Sequence, residues 1–355
     1  MKEKYNGEKF FSKSFGKKFS SFLREEKYSQ HFILCDDNTN ISCLPVLITE
    51  VPEIAPAIVI KVYAGEENKN LLALEYVWKR LTEGHADRKA VLINLGGGMI
   101  CDLGGFAAAT YKRGIDFIHV PTTLLSQADA AIGGKQGIDF LNYKNQIGVF
   151  KLPEAIFIHE SFLLTLPEEQ IKSGFAEIVK HALIAGGKFW KQVRSISNLQ
   201  EVNWSPVIEQ SLATKSAVVE KDPHEKNLRK VLNFGHTIGH AIESFLLGKK
   251  VKTLHGFCVS AGMIGELYLS SIICGLSLKK RDEAFALIKK HFPPPQITED
   301  DFEPLINLMK QDKKNYGGKI RMVLLEKPGK PVIDCNADEI LIREALHYML
   351  HFYED

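Results

Sequence analysis

The sequence predicts an α/β half followed by a helical half, and its 355 residues exceed what one core usually organises, so two domains are expected. Three observations carry this. Between His31 and Ile158, short β-branched runs alternate with turns and helical spacing, the pattern of a parallel sheet wound with helices. Beyond Leu164–Pro167 the apolar spacing is almost entirely helical. The stretch from Arg229 to Gly256 places a guanidinium, a carboxamide and imidazoles where a solvated helix would carry Lys and Glu. The boundary is set after residue 166, giving an α/β domain 1–166 and a helical domain 167–355.

In the first half, the opening thirty residues mix Lys, Ser and Phe without sustained alternation and receive no role. His31 to Cys35 reads as a strand running into an Asp/Asn turn, the kind of strand end where α/β folds bind ligands. Ala57 to Tyr63 is a second strand, Leu71 to Leu81 a helix, and Ala90 to Asn94 a third strand entering LGGGMICDLGGF. There Gly96, Gly97 and Gly98 let backbone amides approach a pyrophosphate at a helix N-terminus. The register Gly96-x-Gly98-x-x-Cys101 lacks the third glycine of the dinucleotide fingerprint, and Asp102 follows in the first turn of the helix. Asp116 to Val120 leads into PTTLLSQADAAIGGKQGIDFLNYKNQIGVF, where Thr122, Thr123, Ser126, Asp129, Lys135 and Lys144 form what reads as a phosphate-binding turn. Ala155 to Ile158 closes the alternation.

In the second half, a helix over about Glu168 to Ile184 puts Ser173, Glu177 and Lys180 on one side. From Arg229 the spacing predicts one continuous helix, with Val231, Phe234, Ile238, Ala241, Ile242 and Phe245 in one sector and Arg229, Asn233, His236 and His240 opposite. His255 follows in a Leu-His-Gly turn that brings it back to the same place. Glu177 reads either as a surface partner of Lys180, which needs no function, or, in a helical core, as the hard oxygen that His236 and His255 lack, making three protein ligands with an open position. Spacing alone also allows His236 and His240, one turn apart, to share the ion. Lys215 lies in a helix broken at Pro223, Leu305 to Lys314 is a further helix, and a hairpin at Ile320–Leu325 and Val332–Asp334 precedes a last amphipathic helix.

A net charge of +2 gives no global field for nucleic acid, so an anion site must come from local Lys and Arg. Six cysteines without CxxC pairs, and the absence of a signal pattern or long apolar span, point to a reduced cytoplasmic protein without a membrane partner. The apolar helices make a homodimer the expectation.

The ordered series GEENK, LGGGMICDLGGFAAATYKRG, VPTTLLSQADAAIGGK, YKNQIG, SGFAEIVKH, LNFGHTIGHAIE, LHG and MKQDKK resembles the 3-dehydroquinate synthase family over roughly Leu34 to Leu325. The resemblance implies a Rossmann-like N-terminal domain binding NAD and an all-helical C-terminal domain binding zinc or cobalt. It implies metal ligands Glu177, His236 and His255. It implies an anionic sugar-phosphate substrate met by Arg113, Asp129, Lys135, Asn145, Lys180, Lys215, Glu225, Arg229, Asn233, His240 and Lys313, with Lys314 an adjacent alternative. NAD would touch Asp36, Asn38, Glu66, Lys69, Gly97, Gly98, Met99, Asp102, Thr122, Thr123, Leu125, Lys144, Thr165, Leu166 and Gln170.

Gln136, Asp139, Tyr143 and Phe257 depart from the family's pattern, and all lie outside the implied ligands. The implied reaction converts 3-deoxy-D-arabino-heptulosonate 7-phosphate to 3-dehydroquinate and phosphate in the shikimate pathway. Transient oxidation by NAD, β-elimination of phosphate, re-reduction and intramolecular aldol closure follow one another. Another sugar-phosphate cyclase or a metal-dependent polyol dehydrogenase stays open as the alternative.

Overall fold

A computed structural model describes residues 8–10, 14–141, 143–311 and 320–354. The chain divides into two compact units, Met1–Pro167 and Glu168–Asp355.

Unit 1 runs β1 (Glu8–Phe10), α1 (Phe15–Glu26), β2 (His31–Asp36), α2 (Asp37–Ser42), α3 (Leu44–Glu50), β3 (Ile58–Val62), α4 (Leu71–Glu83), β4 (Val91–Gly96), α5 (Gly98–Thr110), β5 (Asp116–Pro121), β6 (Lys135–Phe140), β7 (Tyr143–Phe150) and β8 (Ala155–Phe157). Six strands form a parallel sheet in the order β1-β8-β5-β4-β2-β3. Successive residues of a strand point to opposite faces, so Ile33 and Cys35 pack with Phe15, Phe19 and Leu47 in one core, while Phe32 and Leu34 pack with Leu74, Val77 and Leu103 in the other. Burial on both faces is why these strands read as continuous apolar runs rather than alternations. The chain leaves β2 for β3 on one side and returns to β4 on the other, so the sheet reverses direction between β2 and β4. The crevice at the carboxyl ends of those two strands is where such sheets take a ligand.

The opening residues, given no role from the sequence, build real structure: α1 lays Phe15, Phe19 and Leu23, at helical spacing, onto the sheet. One expectation needs correcting here. The segment from Gly133 to Asn145, expected as a phosphate turn, is mostly strand, with β6 and β7 forming an antiparallel hairpin in which Gly137 faces Gly148.

Unit 2 runs α6 (Glu168–Ala185), α7 (Gly187–Arg194), α8 (Trp204–Lys221), α9 (His236–Gly248), α10 (His255–Ile273), α11 (Leu278–His291), α12 (Phe302–Gln311), the hairpin β9 (Arg321–Lys327) and β10 (Lys330–Asn336), and α13 (Glu339–His351). α10 is the central helix and packs on α6, α9 and α13. It alone among the described helices is long and apolar enough to cross a membrane, but 72% of that window is buried within the protein, as in a core helix. The helix expected over Leu305–Lys314 is described as far as Gln311, and Lys313 and Lys314 lie outside the described residues.

The continuous helix expected from Arg229 is also broken. Leu228–Asn233 is a 3-10 turn, Phe234 is extended, and Gly235 sits at φ +78 before α9 begins. The break is held from a distance: the fully buried Glu266 carboxylate on α10 accepts the Gly235 N–H at 2.6 Å and the Thr237 N–H at 3.0 Å. A side chain at 235 would be strained by that φ and would strike Met263. Thus His236 occupies the first turn of a helix whose amino end is capped by a carboxylate.

Candidate active site

In unit 2 the charged groups gather around Glu177. Its carboxylate is fully buried, and the groups that face its oxygens are an ammonium and two imidazoles. Oε1 lies 3.4 Å from His236 Nε2 and 3.3 Å from His255 Nε2, while the Lys180 ammonium pairs with Oε2. The other nitrogen of each imidazole is committed. His236 Nδ1 is 3.0 Å from the Phe234 carbonyl, and His255 Nδ1 is 3.2 Å from Glu243 Oε2. Both partners can only accept, so each Nδ1 carries a proton. Nε2 of each ring then either bears a second proton donated to Glu177 or, once deprotonated, turns a lone pair toward the same carboxylate oxygen, an arrangement that a bound cation completes.

The distances fit a metal. Ligands about 2.0–2.1 Å from a tetrahedral Zn²⁺ or Co²⁺ stand about 3.3 Å apart, which is the separation found here, and the carboxylate behind His255 matches the usual support of a metal-bound imidazole. Burial would raise the Glu177 pKa, but the Lys180 and His236 charges hold it well below the usual carboxylate range. Burial and the Lys180 charge lower His236. Burial would also lower His255, but Glu243 and Glu177 raise it to about 10. Deprotonating that ring is work a bound metal must do.

His240 shares the cluster. Its ring centroid is 4.9 Å from that of His236 and 5.8 Å from that of His255, and nitrogens of all three imidazoles come within 4.8 Å of one another. Geometry alone therefore leaves both ligand sets of the sequence reading open. His255 itself is the first residue of α10 rather than part of a loop. The Gly256 N–H bonds Ser173 Oγ at 3.1 Å, tying that helix start to α6.

Beside this cluster, Asp222 accepts the N–H groups of Lys226, Asn227 and Arg229 and so fixes the turn that carries Arg229. Arg229 is buried and donates from Nη1 to the Pro223 carbonyl at 2.6 Å; Asn233 Nδ2 donates to Glu225 Oε1 at 2.7 Å. Lys215 is buried on α8. Gln170 belongs to the first turn of α6.

In unit 1 the candidates line the carboxyl edge of the sheet. Asp36 ends β2 and caps α2 by accepting the Thr39 N–H at 2.8 Å; Asn38 is exposed in that helix. Gly97 caps α5, whose first residues are Gly98 and Met99, and Gly96 O accepts the Thr122 N–H at 2.9 Å, joining the ends of β4 and β5. Thr123 bonds Ser126, and Leu125 and Asp129 lie in the turn that follows.

After β3, Lys69 is buried against Glu66 Oε1 at 2.6 Å, Asn145 Oδ1 at 2.8 Å, Asp102 Oδ2 at 3.4 Å and Asp139 Oδ1 at 3.6 Å. Burial would lower this amine, but Asp102, Glu66 and Asp139 raise it, so it stays charged. Lys144 reaches Glu66 at 4.0 Å, and Lys135 is exposed at the start of β6. Thr165 and Leu166 follow β8. Arg113 stands apart: it is exposed beyond the far end of α5, about 20 Å of helix from the glycine turn.

The glycine missing from the fingerprint has a successor. A Cβ on Gly104 would stand 1.9 Å from Asn94 Oδ1, so the residue that allows α5 to lie on β4 comes one turn later than the motif expects. Sequence reasoning also passed over Glu243 and Glu266. Glu243 was within reach, because it lies seven residues after His236 and thus on the same helix face. Glu266 caps an element some thirty residues away and leaves no local signal.

Comparison with known proteins adds to this geometry. Residues 59–173 match the model for the 3-dehydroquinate synthase N-terminal domain, and residues 174–315 that for its C-terminal domain. A 3-dehydroquinate synthase of Parabacteroides distasonis is 42% identical over 337 residues, covering 94% of each chain. One from Acetivibrio thermocellus is 41% identical over 288 residues, covering 80% of this chain and 79% of its own. The crystal structure of a 2-deoxy-scyllo-inosose synthase, complexed with carbaglucose-6-phosphate, NAD⁺ and Co²⁺, superposes with a TM-score of 0.84 at 25% identity and 95% coverage of both chains.

Proposed function

The chain belongs to the 3-dehydroquinate synthase family, and on that premise we propose that Glu177, His236 and His255 hold its metal while unit 1 holds its NAD. The protein is an NAD- and metal-dependent lyase that converts 3-deoxy-D-arabino-heptulosonate 7-phosphate to 3-dehydroquinate and phosphate, a step of aromatic biosynthesis. When bound, NAD removes and returns a hydride and the metal polarises the hydroxyl being oxidised, so the reaction is redox-neutral overall. The observation that carries the metal assignment is the convergence of two Nε2 atoms, at 3.4 and 3.3 Å, on one buried carboxylate oxygen.

This chain's own residues supply the rest. His240, beside the two ligands, moves protons at the substrate hydroxyls. Lys180, Lys215 and Arg229 are cations that burial makes costly, and a substrate bearing a carboxylate and a phosphate offsets them. Asn233, oriented by Glu225, donates to a substrate hydroxyl or carbonyl. In unit 1, amides at the start of α5 and the Gly97 backbone meet the pyrophosphate, and Asp36 at the end of β2 meets a ribose. Lys135, Asn145, Asp129 and Lys313 complete the substrate set proposed from the family pattern, Lys144 belongs to its NAD set, and Arg113, beyond the far end of α5, is proposed from the pattern alone. We further take the chain to be a cytoplasmic homodimer. Six free cysteines support the compartment, and Leu71, Leu72 and Tyr76, exposed together on α4, support association.

The test is turnover of the heptulosonate phosphate with zinc or cobalt and sub-stoichiometric NAD. Phosphate and 3-dehydroquinate should appear in equal amounts over many cycles without net NADH. NADH accumulating in step with product would instead mark a dehydrogenase. Light scattering during size exclusion decides the homodimer.

A further inference from the structure

Unit 2 carries a second convergence of imidazoles on a carboxylate, outside the site just described. His347 and His351 stand one turn apart on α13, with ring centroids 4.4 Å apart. His347 Nδ1 lies 2.8 Å and His351 Nε2 3.2 Å from the same oxygen, Glu299 Oε1. Glu299 comes from a separate element, a 3-10 turn (Glu299–Asp301) fixed by a capping box between Thr298 and Asp301. The other nitrogen of His351, Nδ1, lies 2.7 Å from Glu354 Oε2.

A neutral imidazole has one N–H, and a carboxylate can only accept. His351, placed between two carboxylates, donates to both when protonated; when neutral it directs a lone pair at one of them, an arrangement that a bound cation completes. That is the relation His255 has with Glu243 and Glu177. The likeness extends to the roles: one carboxylate oxygen shared by two rings, and a second carboxylate behind one of them.

We propose that Glu299, His347 and His351 form a second divalent metal site, with Glu354 a positioning residue that fixes His351 and water completing the coordination. Two imidazoles and one carboxylate suit Zn²⁺, Co²⁺, Ni²⁺ or Cu²⁺ rather than Mg²⁺ or Ca²⁺, which prefer oxygen alone. Imidazoles at i and i+4 on one helix face are a spacing that zinc uses. An ion widens the 2.8 Å contact toward a ligand separation of about 3.3 Å, which side chains as exposed as those of Glu299 and His347, 57% and 61%, readily allow. Bound there, the ion joins the 299–301 turn to the C-terminal helix. The competing account is a pair of ordinary imidazolium–carboxylate contacts, which need no metal.

The experiment uses the full chain without a polyhistidine tag, stripped with chelator and titrated with Co²⁺ and Zn²⁺, counting ions by calorimetry and elemental analysis. Two ions per chain are expected. His347→Ala and His351→Ala should each abolish the weaker one while retaining the tighter ion and turnover. Glu354→Gln should weaken the second ion about tenfold. His236→Ala should lose the tighter ion and keep the weaker, so failure of this proposal is distinguishable from failure of the active-site assignment. Circular dichroism checks that each variant is folded. A parent chain that binds one ion, a second ion indifferent to both His347→Ala and His351→Ala, or equal affinity for Mg²⁺ would each overturn the proposal.

Discussion

On the proposed assignment unit 1 offers its ligand mostly main chain, whereas unit 2 offers side chains, and the two sites differ in almost every physical respect as a result. The glycine turn at Gly96–Gly98 would work through amide groups and a helix dipole, so its chemistry would depend on backbone path and close approach. The cluster at Glu177 would work through a buried carboxylate and two imidazoles, each ring aimed by a hydrogen bond on its far side. A backbone site tolerates changes in residue identity as long as the path is kept, as the displaced packing glycine at 104 illustrates. A side-chain site tolerates changes in path, as the break at Gly235 illustrates, as long as the donor atoms arrive. The contrast breaks if a side-chain change in unit 2 removes NAD, or a backbone change in unit 1 removes the metal.

The largest effect should follow from deleting a ligand. His236→Ala and His255→Ala should lose bound metal and reduce turnover on the order of 10³-fold, the worth of several kcal/mol of charge stabilisation, while NAD affinity measured by fluorescence stays near that of the parent. His240→Ala should come next, keeping near-stoichiometric metal and losing about 10²-fold in rate, as expected when a proton-transfer group goes but coordination survives. A His240→Ala protein without metal beside a fully loaded His255→Ala protein would reverse the ligand assignment.

Two glycines separate packing from ligand approach within unit 1. Gly104→Ala forces a Cβ to 1.9 Å from Asn94 Oδ1, and Asn94 is fully buried and bonded to His119, so the helix must shift. It should cost about 1–3 kcal/mol in urea denaturation and leave NAD affinity of the folded fraction intact. Gly97→Ala meets only the Thr123 methyl, at 3.1 Å, and should cost less stability but weaken NAD about tenfold, roughly 1.4 kcal/mol of lost close approach. The opposite pairing of outcomes would place the cofactor elsewhere.

Much of unit 1 was readable because strands buried on both faces leave unbroken apolar runs, and β2, β4 and β5 are such runs. The β6–β7 hairpin was not, since Gly133, Gly134 and Gly137 look alike whether they serve a phosphate or a crossing of two strands. In unit 2 the identities of the donors were legible, but their geometry was not. Helical arithmetic assumes that the helix continues, and the carboxylate that interrupts it, Glu266, acts through tertiary contact. Spacing grouped His236 with His240. The returning Leu-His-Gly turn offered His255 and the helix at 168–184 offered Glu177, the family pattern chose these two over His240, and the fold puts His255 Nε2 and Glu177 Oε1 3.3 Å apart.

The smallest effect concerns Asp139, one of the residues that depart from the family pattern and a place where unit 1 does use side-chain charge. Its Oδ1 accepts the Asn145 N–H at 2.8 Å and sits 3.6 Å from Lys69 Nζ. Burial raises its pKa, and the nearby Lys69 offsets that only in part. A carboxyl whose pKa is raised on folding binds more protons in the native state than in the unfolded chain. Its contribution to stability is therefore most favourable below the unfolded value, about 3.9, and diminishes as pH rises through the folded value. Asp139→Asn keeps an oxygen for the Asn145 N–H and leaves Glu66 and Asp102 to pair with Lys69. The variant should be more stable than the parent at neutral pH by less than about 1 kcal/mol, with the difference fading as pH falls toward 4. Urea melts at pH 7.5 and pH 4 measure both. A variant less stable at pH 7.5 would mean that the third carboxylate is needed to hold Lys69, and that this corner of unit 1 depends on side chains as strictly as the metal cluster does.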